Sequence, residues 1–439
     1  MDPLLLGLVV GVSTVVMLFS GIPIAFGLCF ISVVFLVIAE GFSILNVFAE
    51  TFYAGLNSFV LLSIPMFILM GMAVANSPAG KDLYTGLDRW LWRLPGGLVV
   101  SNIGACSIFA ALSGSSPATC AAIGTMGIPE MRKRGYSARL ATGCIAAGGT
   151  LGVLIPPSIM LVVMGPIMEI PVIDLFAAAI FPGILLATLY AAYTTIRCMM
   201  NPELGPPLPE EMRATSMRKV WIEFFLGLVP PAALVFAALG SILLGFATPT
   251  EAAGCGAMGA LLLSLAYKKL TLAKLQEALV KTLEITALIM VLVAASNFFG
   301  AVFARLGTPT LLTEFLLGLE MNKHLILGII MVMIFLLGWP LEWVPIVMII
   351  IPIILPLVEA LGFNLTWFAI LVAVNLQTAW LSPPVALSAY FLKGVVPEWD
   401  LKDIYLGMMQ FMVLQIIGLI IIIIFPKIVL WLPSVLYGQ

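Results

Sequence analysis

Hydroxyls, glycines and prolines gather at two places in an otherwise apolar chain, and their spacing suits the binding of a dehydrated alkali cation. The first place is SGSSPAT, Ser113 to Thr119, set opposite GGTLGVLIPPS, Gly148 to Ser158. Pro156 and Pro157 interrupt a helix, and the glycines beside them let its backbone unwind. Unwound carbonyls together with Ser and Thr hydroxyls make a set of hard oxygen ligands. Ser113, Ser115, Ser116 and Thr150, with the backbone of Gly114 and Gly149, are the candidates for holding sodium there. Exposed backbone of this kind is tolerated in a membrane only where it lines a cavity or is buried in protein. A seam of small residues can instead serve close helix packing, but such a seam has no need of paired prolines.

The second place is LGWPLEW, Leu337 to Trp343, facing NLQTAWLSPP, Asn375 to Pro384. Gln377, Thr378, Ser382 and the carbonyls around Gly338 and Pro340 supply a second sodium set. Glu342 sits near the middle of an apolar stretch, where a carboxylate is costly and marks an ion or substrate pathway; a Glu snorkelling to the interface is the competing reading. A small organic anion is drawn to the positive N-terminal ends of the half-helices leaving both places. Ser115, Ser116, Thr119, Pro156, Glu342 and Pro383 are therefore the candidate substrate contacts. No Lys or Arg lies securely in mid-membrane, with Arg305 expected at the outer edge, so the identity of the anion stays open.

The remaining chemistry-bearing residues read blandly. His324 stands beside Lys323 in a loop, Arg132 to Arg134 act as a topology signal, Glu251 begins a helix, and the six cysteines form no CxxC pair. No Walker motif, transition-metal triad or Ser/His/Asp arrangement is present. Neither ATP hydrolysis nor catalysis has support, no cofactor is expected beyond sodium as a coupling ion, and no nucleic acid is expected as a partner.

The elements that position these residues are membrane helices. Of the 439 residues 62% are apolar and 10% charged, and the mean hydropathy is +1.17. A soluble domain carries roughly 25% charged residues, so this chain cannot build a water-exposed surface. Apolar runs at 4–20, 23–40, 57–77, 138–168, 174–197, 221–244, 250–267, 283–304, 366–392 and 404–432 approach or exceed the roughly 20 residues that cross a bilayer. The first is read as a retained span, since it lacks a basic leader and a cleavage site. Two more stretches, 98–128 and 325–356, are broken by SGSSP and GWPLEW and read as re-entrant hairpins. The expectation is an all-α polytopic protein of about ten spans and two hairpins. Segments 43–56 and 270–282 have the mixed pattern of helices lying in the interface. With Met1 outside, 17 of the 20 Lys and Arg fall on the inner side, leaving Arg305, Lys323 and Lys427 outside, as the positive-inside rule requires.

A shift of 227 residues lays one half of the chain on the other: LIPP at 154–157 on LSPP at 381–384, ALSGSSP on GWPLEWV, and GIPIAFG at 21–27 on TPTEAAG at 248–254. Five spans per half make the repeats inverted, the architecture of secondary transporters with sites at the midplane. The first repeat is expected over 1–200, with scaffold 1–97, hairpin and broken helix 98–168, and closing helix 174–200. A cytoplasmic linker follows at 201–219. The second repeat spans 220–439, with scaffold 220–304, hairpin 325–356, broken helix 366–392 and closing helix 404–432.

Taken together, SGSSPAT, GTLGVLIPPSI, TPTEAA, LGWPLEW and QTAWLSPPVAL resemble the large permease, or M subunit, of tripartite ATP-independent periplasmic (TRAP) transporters, over essentially the whole chain. The resemblance implies an elevator of the ion-transporter superfamily, with a scaffold and a mobile body that carries both hairpins. It implies a multi-pass protein of the bacterial inner membrane with its N-terminus periplasmic. It further implies a separate small four-helix membrane subunit, a periplasmic substrate-binding protein and a sodium gradient as the driving force. The second hairpin departs from the family's usual Asp, with Glu342 standing in its place. A stand-alone divalent-anion/sodium symporter of similar architecture is the main rival, and an anion channel the next.

Overall fold

In the computed structural model, residues 3–42, 46–75, 77–206, 217–318, 321–339, 341–383 and 386–438 are described, and among them no strand occurs. The first half runs α1 (Pro3–Phe19), α2 (Ile24–Glu40), α3 (Asn46–Leu56), α4 (Ser63–Ala75), α5 (Ala79–Trp90), α6 (Gly97–Ser113), α7 (Ser116–Lys133), α8 (Ala138–Thr150), α9 (Ile159–Met168) and α10 (Val172–Met200). The second runs α11 (Met217–Leu243), α12 (Pro249–Ala266), α13 (Leu272–Arg305), α14 (Thr308–Gly318), α15 (Lys323–Leu337), α16 (Trp343–Ala360), α17 (Leu365–Gln377), α18 (Leu387–Val395), α19 (Leu401–Ile424) and α20 (Lys427–Tyr437).

Among the described residues five helices, α10, α11, α13, α16 and α19, are each long and apolar enough to cross a bilayer, and Phe48–Leu56 with Phe59–Ala75, bent by 57°, reach that length only when taken together. The other expected spans are shorter or, in the 18-residue α12, less apolar. Helices α1 and α2 have 17 residues each, about 25 Å at 1.5 Å per residue, and the runs 138–168 and 366–392 are pairs of short helices with an unwound turn between them.

Several boundaries differ from the sequence expectation: α7 and α16 run past the expected hairpin ends at 128 and 356 to Lys133 and Ala360, and α5 and α14 lie in no expected run. Segment 270–282 is not a separate interfacial helix but the start of the 34-residue α13. No Gly or Pro occurs in that helix before Gly300, so nothing interrupts its hydrogen bonding. The expected closing helix 404–432 ends at Ile424, and a new helix begins after Pro426, whose missing donor and bulky ring prevent continuation. Most of the expected linker, 207–216, lies outside the described residues.

Many elements of the two halves correspond at the same shift of 227, although the continuous α13 falls on the separate α3 and α4. Helix α7 falls on α16 and α8 on α17, and the 3₁₀ turn Leu151–Val153 falls on Thr378–Trp380. Ion pairs tie together loops that the basic-residue skew assigns to one side: Arg89 with Glu223, Arg132 with Glu398 at 3.0 Å, Arg134 with Asp88 at 2.6 Å, and Arg139 with Asp403 at 2.8 Å. Arg305, assigned to the other side, meets Glu40 at 3.5 Å. Helix α5 packs along α11, α4 along α12 and α2 along α13, while α8 packs on α6, α7 and α19. Small residues set the closest approach: a Cβ on Gly407 of α19 would stand 2.2 Å from the carbonyl oxygen of Arg139, so the two backbones touch directly.

Candidate functional site

Gly114 makes possible the turn between α6 and α7, where the tip of the first hairpin is expected. It takes φ +57° between α6 and α7, a left-handed conformation that costs a side chain about 1–2 kcal/mol. Ser115 is then the extended N-cap of α7, and its side chain caps nothing. Ser113 Oγ lies 2.7 Å from Thr119 Oγ1, and Thr119 Oγ1 donates to the Ser115 carbonyl at 2.9 Å. The Ser116 hydroxyl is buried without a hydrogen-bond partner among the described residues.

This tip rests on the break between α8 and α9. A Cβ on Gly114 would stand 3.0 Å from the Pro157 carbonyl oxygen, and one on Gly152 would stand 2.7 Å from the Ser115 carbonyl oxygen. Backbone therefore meets backbone from both sides. Helix α4 braces the tip from behind, where Gly71 approaches Ser113 Cα. The Thr150 hydroxyl donates to its own helix at Ala147 O (2.7 Å), and the Ser158 hydroxyl to Val153 O (2.6 Å). Gly149 faces Cys120 on α7, 2.9 Å from a hypothetical Cβ, which is a close-packing position. Pro156 is buried within the break.

The second tip follows the same plan with different chemistry. Pro340 lies outside the described residues. Glu342 is the extended N-cap of α16, at the position equivalent to Ser115, and its side chain is exposed and makes no capping bond. Gly338 packs on the turn after α17, its hypothetical Cβ 3.0 Å from Ala379 Cβ. Thr378 Oγ1 donates to Asn375 O at 2.5 Å, and Gln415 Nε2 donates to Gln377 Oε1 at 2.6 Å. Gln377 Nε2, Gln415 Oε1, Ser382 Oγ and Trp339 Nε1 are buried without partners among the described residues. Pro383 is half-buried beside them.

The two breaks adjoin, since the 151–153 turn packs on α17 and α9 packs on α16. Of the residues expected from sequence, Ser113, Gly114, Ser115, Ser116 and Thr119 cluster at one tip, and Gly338, Gln377, Thr378 and Ser382 gather near the other. Sequence reasoning missed Gly152, Asn375 and Gln415. Gln415 carried a readable signal, as a lone amide within LQIIGLIIIII; buried polar groups are normally satisfied, and such a residue in a span is costly. Gly152 carried none, because its role is an approach between segments nearly 40 positions apart. Unpaired hydroxyl and amide oxygens beside unwound carbonyls form a neutral, oxygen-rich setting that fits a small hard cation. The uncapped N-termini of α7 and α16 fit a carboxylate.

Comparison with known proteins follows the same lines. Residues 12–428 match the family described as the tripartite ATP-independent periplasmic transporter, DctM component. The isethionate TRAP transporter permease protein DctMQ of Oleidesulfovibrio alaskensis is 31% identical over 376 residues, covering 85% of this chain and 58% of that longer protein. The sialic acid TRAP transporter large permease SiaM of Vibrio cholerae is 28% identical over 96% of this chain and 98% of its own. The C4-dicarboxylate large permease DctM of Rhodobacter capsulatus is 29% identical over 96% and 97%. Among solved structures, the Alcanivorax borkumensis YdaH transporter, whose topology is described as unusual, shares the fold with a TM-score of 0.60 at 15% identity over 89% of each chain.

Proposed function

The chain belongs to the DctM component family of tripartite ATP-independent periplasmic transporters, and on that premise we propose that it carries an organic acid across the bacterial inner membrane by sodium-coupled secondary transport. Periplasmic binding-protein delivery and a small membrane subunit complete the system. The relatives' names point to small carboxylates or sulfonates as substrates. The observation that carries this reading is the docking of each hairpin tip on a helix break, with hydroxyl and amide atoms at both left buried and unpartnered among the described residues.

Ser113, Ser115, Ser116 and Thr150, with the backbone of Gly114 and Gly149, hold one sodium ion. Gln377, Thr378 and Ser382, with the backbone of Gly338, hold another. Ser115, Ser116, Thr119, Pro156, Glu342 and Pro383 face the anion between the tips. Sodium supplies positive charge that draws tip and break together, and the helix N-termini then receive the carboxylate. The hairpins and broken helices move as one body against a scaffold built from α1–α4 and α11–α13, with the N-terminus periplasmic. The element correspondence at one shift supports two inverted repeats, and the ion pairs that group the basic loops support the orientation.

The test is uptake of radiolabelled isethionate, sialic acid and C4-dicarboxylates into proteoliposomes under an inward sodium gradient, with and without the small subunit and binding protein. Uptake that requires sodium and all components supports the reading. Uptake by this chain alone reassigns it to the stand-alone symporters, and sodium-insensitive downhill flux reassigns it to channels. Ser113→Leu or Thr378→Leu should abolish sodium-dependent uptake while the protein still inserts; unchanged uptake removes the corresponding site.

A further inference from the structure

On the face where the basic residues concentrate, a cavity of about 390 Å³ opens between the start of α8, the end of α10 and the start of α19. That volume falls in the range of roughly 300–1,000 Å³ typical of small-molecule sites. Arg139, Arg197, Asp403 and Gln410 supply most of its polar lining. Arg139 donates its Nε to Asp403 Oδ1 at 2.8 Å. Arg197 has no carboxylate partner among the described residues. Its Nη1 donates to Tyr193 Oη at 2.8 Å, Tyr193 Oη donates to Gln410 Oε1 at 2.8 Å, and the guanidinium carbon lies 5.6 Å from the Tyr193 ring centre.

This network holds the Arg197 guanidinium in place through neutral groups. Among the described lining residues, two guanidiniums face one carboxylate, a surplus positive charge. A free surface arginine adopts many rotamers, whereas a half-buried one held by a phenol and an amide presents its planar fork in one orientation, the geometry that matches phosphate oxygens. Beside Arg197 on α10, Ile196, Met199 and Met200 are exposed. In a bilayer those side chains lie against lipid, so an anion entering here has room for acyl chains alongside. Basic pockets between membrane helices hold anionic lipid head groups for this reason.

We propose that the Arg139–Arg197 cavity binds the phosphate of an anionic phospholipid. The proposal is independent of the transport site, which lies at the tips and breaks.

The test uses the full chain in nanodiscs of mixed phosphatidylglycerol and phosphatidylcholine, with retained lipid read by native mass spectrometry. The expected result is preferential retention of phosphatidylglycerol that weakens as salt rises. Retention should fall about fivefold in Arg197→Gln, fall less in Arg197→Lys, and stay unchanged in Arg89→Gln, a basic residue outside the cavity. Where Arg197→Gln folds poorly, Arg139→Gln is read instead, with the same fall expected against an unchanged Arg89→Gln. Equal retention of both lipids, or equal losses in Arg197→Gln and Arg89→Gln, overturns the proposal. Displacement of the lipid by millimolar inorganic phosphate or glycerol 3-phosphate overturns the lipid source and assigns the cavity to a soluble phosphate.

Discussion

Alanine at Gly152 places a methyl group where the first hairpin tip now rests. An ideal Cβ there stands 2.7 Å from the Ser115 carbonyl oxygen, 2.8 Å from its carbonyl carbon and 3.1 Å from the Ser116 nitrogen. All three are backbone atoms, so no side chain can rotate aside, and the tip must retreat by about 0.5–1 Å to reach ordinary contact. Overpacking of this kind costs about 1–3 kcal/mol. Alanine recovers about 0.5–1 kcal/mol over glycine in helical backbone, and Gly152 lies in a helical turn. The balance is about 1 kcal/mol against the docked tip, or about a fivefold shift in the equilibrium that brings tip and break together. If sodium binds at that junction, its half-saturating concentration in proteoliposome uptake should rise by the same factor with membrane insertion retained. Gly254→Ala is the control, the same chemical change on α12 where nothing lies within 4 Å of the new methyl. It should leave the sodium dependence alone. A Gly152→Ala protein with wild-type sodium dependence would refute the assignment of the junction.

Three further outcomes are expected. Ser116→Ala removes a buried hydroxyl that has no hydrogen-bond partner among the described residues, so thermal stability without sodium should hold or rise by about 1 kcal/mol while sodium activation weakens; loss of stability with normal activation contradicts a ligand role. Gln415→Leu breaks the 2.6 Å bond to Gln377 and strands a buried amide, costing about 1–3 kcal/mol. Adding Gln377→Leu should recover part of that loss in a thermal double-mutant cycle, and strictly additive losses would show that the pair is uncoupled. Arg134→Gln leaves Asp88 without the bidentate partner it now holds at 3.0 and 2.6 Å. With both side chains nearly buried, about 3–5 kcal/mol is lost, and Asp88→Asn in the same protein should restore some of it; a double variant as unstable as the single one counts against an uncompensated carboxylate as the cause.

The sequence by itself determined the all-helical membrane class, the two interrupted stretches and the shift of 227. Those features live in local composition: hydropathy sets which segments leave water, and Gly and Pro set where a helix cannot continue. The breaks after Thr150 and Gln377 fall where GTLGVLIPP and QTAWLSPP placed them. Local reasoning failed where continuity depends on what is absent or on a single residue. Helix α13 absorbs an expected interfacial segment because nothing stops it, and Pro426 divides an expected closing helix. Only the tertiary structure decided which oxygens face one another. Gly152 against Ser115, Gln377 with Gln415 and Gly338 over Ala379 are contacts between separate elements, and one-dimensional spacing holds no record of them. Such contacts are set by how closely backbones can approach in a packed interior, a property of both partners together and of neither segment alone.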